Sequence, residues 1–161
     1  MNLLDHHRSM LAYEREASRR VLGALVSVPA DRRGDPPFVR ARGILSHVQL
    51  ARRMWLSRLG AIAKPEWVMF PDWPLDKLDA EMTDLDRLWA NYLEPLREAE
   101  LSNQVRYAST EGVAYVSTIH EILTHVHNHS TYHRGQVAML LAQVGGQRAV
   151  TDFIALTRRT V

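Results

Sequence analysis

The segment Thr118 to Gly146, TIHEILTHVHNHSTYHRGQVAMLLAQVGG, decides how the rest of the chain is arranged. It is regular enough to be one helix, with Ser117 or Thr118 as N-cap and Gly145-Gly146 as the stop. Five of the protein's eight histidines lie in it. On a wheel turning about 100° per residue from Ile119, the apolar residues Ile122, Leu123, Val126, Val137, Leu140, Leu141 and Val144 fall within about 60° of zero. That stripe is wide enough to face a core. His133 falls at about 320° and His129 at about 280°, in or beside the stripe, with His125 further out at about 240°. His120 and His127, at about 100° and about 80°, point to solvent.

Two imidazoles four residues apart on one helix face can converge on one ion, the geometry that makes HExxH a zinc site. His125, His129 and His133 cannot all do so, because residues eight apart are separated by about 12 Å along the axis. The wheel selects His129 with His133 and leaves His125 at the edge. Either histidine alone is more simply a hydrogen-bonding core residue; two on one apolar flank favour coordination. The run HEILTH, His120 to His125, has one residue too many for HExxH, which sets its histidines about 140° apart. It implies no metalloprotease.

At 161 residues and 46% hydrophobic content, the chain is read as one domain, residues 1–161, able to bury a core of its own. The absence of cysteine excludes disulfides, zinc-thiolate sites and a cysteine nucleophile. Asp5, His6, His7 and Arg8 stand where a signal peptide needs an apolar core, and no stretch is long and apolar enough to span a bilayer. The expectation is a soluble, cytoplasmic protein with no membrane partner. The net charge is +2, and the pairs Arg19-Arg20, Arg32-Arg33, Arg52-Arg53 and Arg158-Arg159 are dispersed. Nucleic-acid readers concentrate such charge, so no nucleic-acid partner is expected.

Residues 2 to 28 read as a first helix, with Leu4, Leu11, Leu22 and Leu25 at helical spacing and Pro29 beyond its end. His7 and Glu14, seven apart, both point near the centre of its apolar stripe. Three roles are open to Glu14: an acceptor behind a ligand histidine, a general base, or one half of an ion pair with a helix arginine, the commonest fate of such a residue. A second helix runs from about Val39 to about Ile62. His47 is its one histidine and flanks its core face, at about 300° from Ile44. A lone histidine there is usually structural, but the His129 and His133 pair lacks a third ligand, which favours coordination.

The loop AKPEWVMFPDWPLD, residues 63 to 76, holds three prolines with Trp67 and Trp73. It either folds over a pocket or caps the helices with its aromatics. A third helix is expected from about Leu78 to Glu98, with Asp76 as N-cap and Pro95 kinking or shortening it. Between Gln104 and Thr118, VRYAS and VAYVS alternate around Glu111-Gly112 as a short β-hairpin. A short terminal helix follows Thr151 or Asp152. The fold class is therefore all-α: four principal helices with short or moderate connections form a four-helix bundle, whose inward side chains build any site. Ferritin-like di-iron centres need Glu-x-x-His pairs, which this histidine helix lacks.

A histidine in the second helix followed late in the chain by NHSTYHRGQV, Asn128 to Val137, and then LLAQVGG resembles the DinB-like (damage-inducible DinB/YfiT-type) superfamily of metal-binding bundles. AYEREA, Ala12 to Ala17, resembles the start of that family's first helix. The resemblance covers essentially the whole chain, and its NHxxxHRGQ core is the specific part. It implies an up-up-down-down four-helix bundle, often a homodimer, binding one divalent metal through His47, His129 and His133. Arg134, Gly135 and Gln136 match the family's RGQ. Helical geometry assigns Gly135 to close packing, and Arg134 or Gln136 to hydrogen bonds that hold the bundle or a dimer partner. Glu14 and Arg15 depart from the family, whose members often carry an uncharged residue there.

Three neutral imidazoles leave a coordination position open, the pattern of a catalytic site. Zinc, nickel, iron and manganese all accept imidazole. Two chemistries follow: metal-dependent hydrolysis, or transfer of a low-molecular-weight thiol, which characterised relatives perform with bacillithiol or mycothiol. A chain without cysteine would take its sulfur from such a cofactor. His7, Glu14 and Tyr132 are the candidate acids or bases. The alternative is a metal-binding or stress-response protein without turnover, serving as a dimeric scaffold. A third possibility has no metal, with the three histidines bonding within the core.

Overall fold

Side-chain caps, prolines and left-handed glycines mark ends of the long helices in the computed structural model, which describes residues 2–160. Helix α1, Leu3–Val26, starts behind Asn2, whose side chain accepts from the Asp5 backbone N–H at 2.8 Å. Helix α2 is Pro36–Arg58, three residues earlier at its start than the apolar pattern indicates, because Pro36 fits the first helical turn. It stops at Gly60, where φ is +77° and the Ala61 N–H reaches the Leu56 carbonyl at 3.0 Å. Helix α3, Leu75–Leu93, begins behind Pro74 instead of Asp76 and ends before Pro95. Pro95 therefore shortens this helix.

The hairpin forms as its alternation predicts. Strands β1, Gln104–Ala108, and β2, Ala114–Thr118, pair antiparallel with Val105 opposite Ser117 and Tyr107 opposite Tyr115. Thr118 ends β2 and caps helix α4, Ile119–Ala142. Its hydroxyl accepts from the Glu121 N–H, while the Glu121 carboxylate accepts from the Thr118 N–H at 2.7 Å. This capping box joins strand to helix without a spare residue, so the hairpin fixes the direction in which α4 leaves. At the far end Gly145 has φ +76° and the Gly146 N–H reaches the Leu141 carbonyl. The short α5, Phe153–Thr157, follows Asp152.

The chain is thus mostly helical with one two-stranded antiparallel sheet. Helix α4 packs against both α2 and α1, and α3 packs against both α1 and α2, whereas α1 and α2 touch little. One apolar cluster includes Leu25, Val28, Phe38, Leu45, Leu78, Val137 and Leu141; a second includes Leu4, Leu56, Leu85, Trp89 and Leu123. The expected α4 stripe is buried, Leu140 only in part. Two readings of the wheel are overturned: His127, expected in solvent, is 8% exposed, and His120, also expected there, is half-buried against His7. Two neighbours, α1 and α2, cover two sides of α4, and a single apolar stripe reveals only one of them. Among the described residues no helix is long and apolar enough to cross a membrane.

Candidate metal centre

Three histidines from two helices converge where α2 and α4 face each other. The nitrogens offered by His47, His129 and His133 all lie within 4.8 Å of one another, a group that could hold a metal ion. Ring centroids are 5.1 Å apart for His47 and His129, 4.9 Å for His47 and His133, and 4.5 Å for His129 and His133. His129 and His133 occupy adjacent turns of α4, so one helix supplies two donors at fixed spacing.

Hydrogen bonds set two of the three imidazole tautomers. The His47 Nδ1–H donates to the Met69 carbonyl at 2.6 Å, and the His133 Nδ1–H donates to Gln136 Oε1 at 2.8 Å. The Met69 carbonyl has no proton to give, so His47 Nδ1 carries the hydrogen and its Nε2 keeps the lone pair; with Gln136 Oε1 facing His133, that ring takes the same tautomer. His47 Nε2 lies 3.2 Å from His129 Nε2. Two nitrogens each about 2.05 Å from a tetrahedral ion would be roughly 3.3 Å apart. The donor chemistry of the three rings fits a divalent cation, and so does the spacing of this pair.

Electrostatics act in the same direction. Burial holds His47 below the ordinary histidine value against the bond to Met69, and His133 lowers it further. Burial and then His133, His47 and His125 push His129 down to about 3. Both rings are therefore neutral at pH 7, the form a metal needs.

The loop between α2 and α3 closes one side of the group. Besides the Met69 carbonyl it contributes Trp67, ring centroid 5.8 Å from His47, and Phe70, at 5.1 Å. Trp73 instead packs on the first apolar cluster, so the loop covers the site with one tryptophan and caps the core with the other. Beyond Phe70 opens a cavity of about 650 Å³ lined by Val39, Arg40, Gly43 and Ile44. Beyond Trp67 opens another, of about 320 Å³.

The other histidines and candidate acids and bases are divided between two places. Tyr132 lies beside the trio, its ring 5.0 Å from His133, and is 65% exposed. His125 stands 5.5 Å from His129 and packs against Trp55. His7 and Glu14 make their contacts elsewhere. Glu14 is fully buried in an ion pair with Arg134 and accepts from the Ser18 hydroxyl at 2.9 Å. Arg134 also donates to the Tyr13 hydroxyl and to Thr131 Oγ1, each at 2.9 Å. His7 Nε2 lies 2.9 Å from His120 Nδ1, and the His7 ring stacks on His127 at 6.1 Å. Burial, then His120 and His6, lower the His7 pKa to about 4.

Sequence reasoning missed the partners of the ligand rings. Gln136 carried a local signal, since residues three apart on a helix meet, and its amide is the natural acceptor for the His133 N–H. The Met69 carbonyl had none, because any residue at that point of the loop would present the same oxygen.

The family model for DinB matches residues 2–160 of this chain. The chain belongs to the DinB family. It is similar to the Protein DinB of Bacillus subtilis (strain 168), 30% identical over 116 residues that cover 68% of this chain and 67% of that protein. No solved structure matches. In this DinB-family chain the three-histidine group therefore sits on a match that spans nearly every residue.

Proposed function

We propose that this DinB-family chain is a metal-dependent enzyme, a hydrolase or a low-molecular-weight-thiol S-transferase, with His47, His129 and His133 as the ligands of one divalent ion. The observation that carries the reading is the pair of hydrogen bonds from His47 and His133 to Met69 and Gln136. They leave the Nε2 lone pairs free within a group whose nitrogens lie within 4.8 Å of one another. Such acceptors behind ligand histidines orient the rings and raise their basicity. When bound, the ion would supply Lewis acidity, stabilising a thiolate or oxyanion or lowering the pKa of a water.

The chain's own residues do the rest. Gln136 and the Met69 carbonyl hold two rings in place, Trp67 and Phe70 keep water from one side of His47, and Tyr132 is the nearest candidate to move a proton. The helices are read as an up-up-down-down four-helix bundle; its support is that α3 and α4 each pack on both α1 and α2. We read the enzyme as cytoplasmic and as a homodimer. Met139 on α4, 73% exposed, is an apolar side chain that a second copy would cover.

The test is turnover of ester, amide and electrophile-plus-thiol panels by metal-loaded and chelator-stripped protein. The reading expects activity that requires the metal and is lost in His133→Ala. Stoichiometric metal with no turnover across both panels would favour the non-catalytic, dimeric scaffold.

A further inference from the structure

The cavity behind Trp67 gathers three cations from three separate elements. Arg58 ends α2, Lys64 lies in the following loop and Arg106 is in β1, and all three line the same space of about 320 Å³. The lining contains no aspartate or glutamate. Among the described residues none of the three forms an ion pair, although ten other arginines do. Like charges brought together without a counter-charge repel one another, and a bound anion would relieve that repulsion.

Arg58 is held in position for that purpose. Its guanidinium lies over the Trp55 ring at 4.5 Å and the Tyr107 ring at 5.1 Å, and it donates to the Ala108 carbonyl at 3.2 Å. A planar guanidinium fixed by stacking loses little freedom when it binds an oxyanion through its remaining N–H groups. Lys64 and Arg106 are exposed and free to close from the rim. Two contacts tie the cavity to the histidine trio: Trp67, which lines it, is packed on His47, and Trp55 beneath Arg58 is packed on His125, next to His129.

We propose that Arg58, Lys64 and Arg106 form a subsite for the oxyanionic group, carboxylate or phosphate, of a small molecule whose other end reaches His47, His129 and His133. That the molecule is the substrate or the thiol of a metal site rests on the function proposed above; the anion site does not. The subsite would select charged molecules over neutral ones of the same reactivity, by placing their reactive end beyond Trp67.

Metal-free protein tests this without any turnover. Inorganic phosphate and succinate are titrated at constant ionic strength while NMR follows the Trp67 indole N–H and the Arg58 side-chain N–H. Saturable shifts with either ion support the subsite, and the tighter of the two identifies the oxyanion. Arg106→Gln and Lys64→Gln, both exposed and harmless to folding, should each weaken binding roughly tenfold, the scale of one charge-assisted hydrogen bond. Arg58→Gln should do at least the same. Shifts that never saturate, or equal weakening by Arg40→Gln at the other cavity, would overturn the proposal. Saturable anion binding in a chain that takes up no metal would support the subsite and sink the metal reading. Metal uptake without anion saturation would do the reverse.

Discussion

Replacing Arg134 with methionine should destabilise the protein by ~3–5 kcal/mol, the cost of breaking a buried ion pair from one side. The size follows from what Glu14 loses. Its carboxylate is fully buried, and without the guanidinium its remaining side-chain donor is the Ser18 hydroxyl, too little to replace water around a charge. The substitution also removes the bonds to Tyr13 and Thr131. For a chain of this length the melting temperature should fall by roughly 6–20 °C. Urea unfolding of the metal-free protein at pH 7 measures the change without metal linkage. Glu14→Leu combined with Arg134→Met should recover most of the loss, because an apolar pair leaves no charge stranded. A single variant costing less than about 1 kcal/mol, or a double variant as unstable as the sum of its parts, would refute the reasoning. Both variants should keep any metal stoichiometry of the parent, since this pair makes no contact with the trio.

Three further outcomes follow from single contacts. Gln136→Leu should weaken metal affinity ~10–100-fold while leaving three histidines in place, measured by competition with a chromogenic chelator; unchanged affinity would remove Gln136 from the site. Acidification should destabilise the metal-free protein. The native His7 pKa is lowered to about 4 against ~6.5 in the unfolded chain, so the unfolded state takes up the proton first. The contribution is complete above pH ~6.5 and is lost as pH falls towards ~4, at most about 3 kcal/mol, and His7→Gln should reduce by that share the difference in unfolding free energy between pH 7 and pH 4.5, the remainder coming from His127 and His129. Gly146→Ala should cost ~1–3 kcal/mol in urea unfolding, because a Cβ there would lie 3.1 Å from both Leu141 Cβ and Val28 Cγ2. A neutral result would mean that the α4 terminus relaxes freely.

How much the sequence discloses depends on whether the information is local. The stripe of α4, its cap at Thr118, the hairpin and the pairing of His129 with His133 depend on periods and turns within a few residues, and all could be read. The ends of α2 and α3 moved by three to five residues: Pro36 fits the first turn of α2, Pro74 caps α3, and Gly60 and Pro95 stop the two helices early. His47 was reached from its place beside the core face of its helix, from the third ligand that the His129 and His133 pair lacks, and from the family resemblance. His127 was misplaced because a wheel describes one helix and cannot know that α1 covers its second side. Met69, Trp67 and the meeting of Arg58 with Lys64 and Arg106 are tertiary facts, set by the path of a proline-rich loop. Glu14 behaved as the commonest reading of a buried helix acid implies, but its arginine came from the far end of the chain.

The central claim is that His47, His129 and His133 bind one divalent ion. Elemental analysis of untagged protein, as purified and after reconstitution, beside the His47→Ala and His120→Ala variants tests it most directly. About one equivalent of a transition metal is expected in the parent and in His120→Ala, and none in His47→Ala. No metal in any of the three after reconstitution, or equal loading of all three, would contradict it.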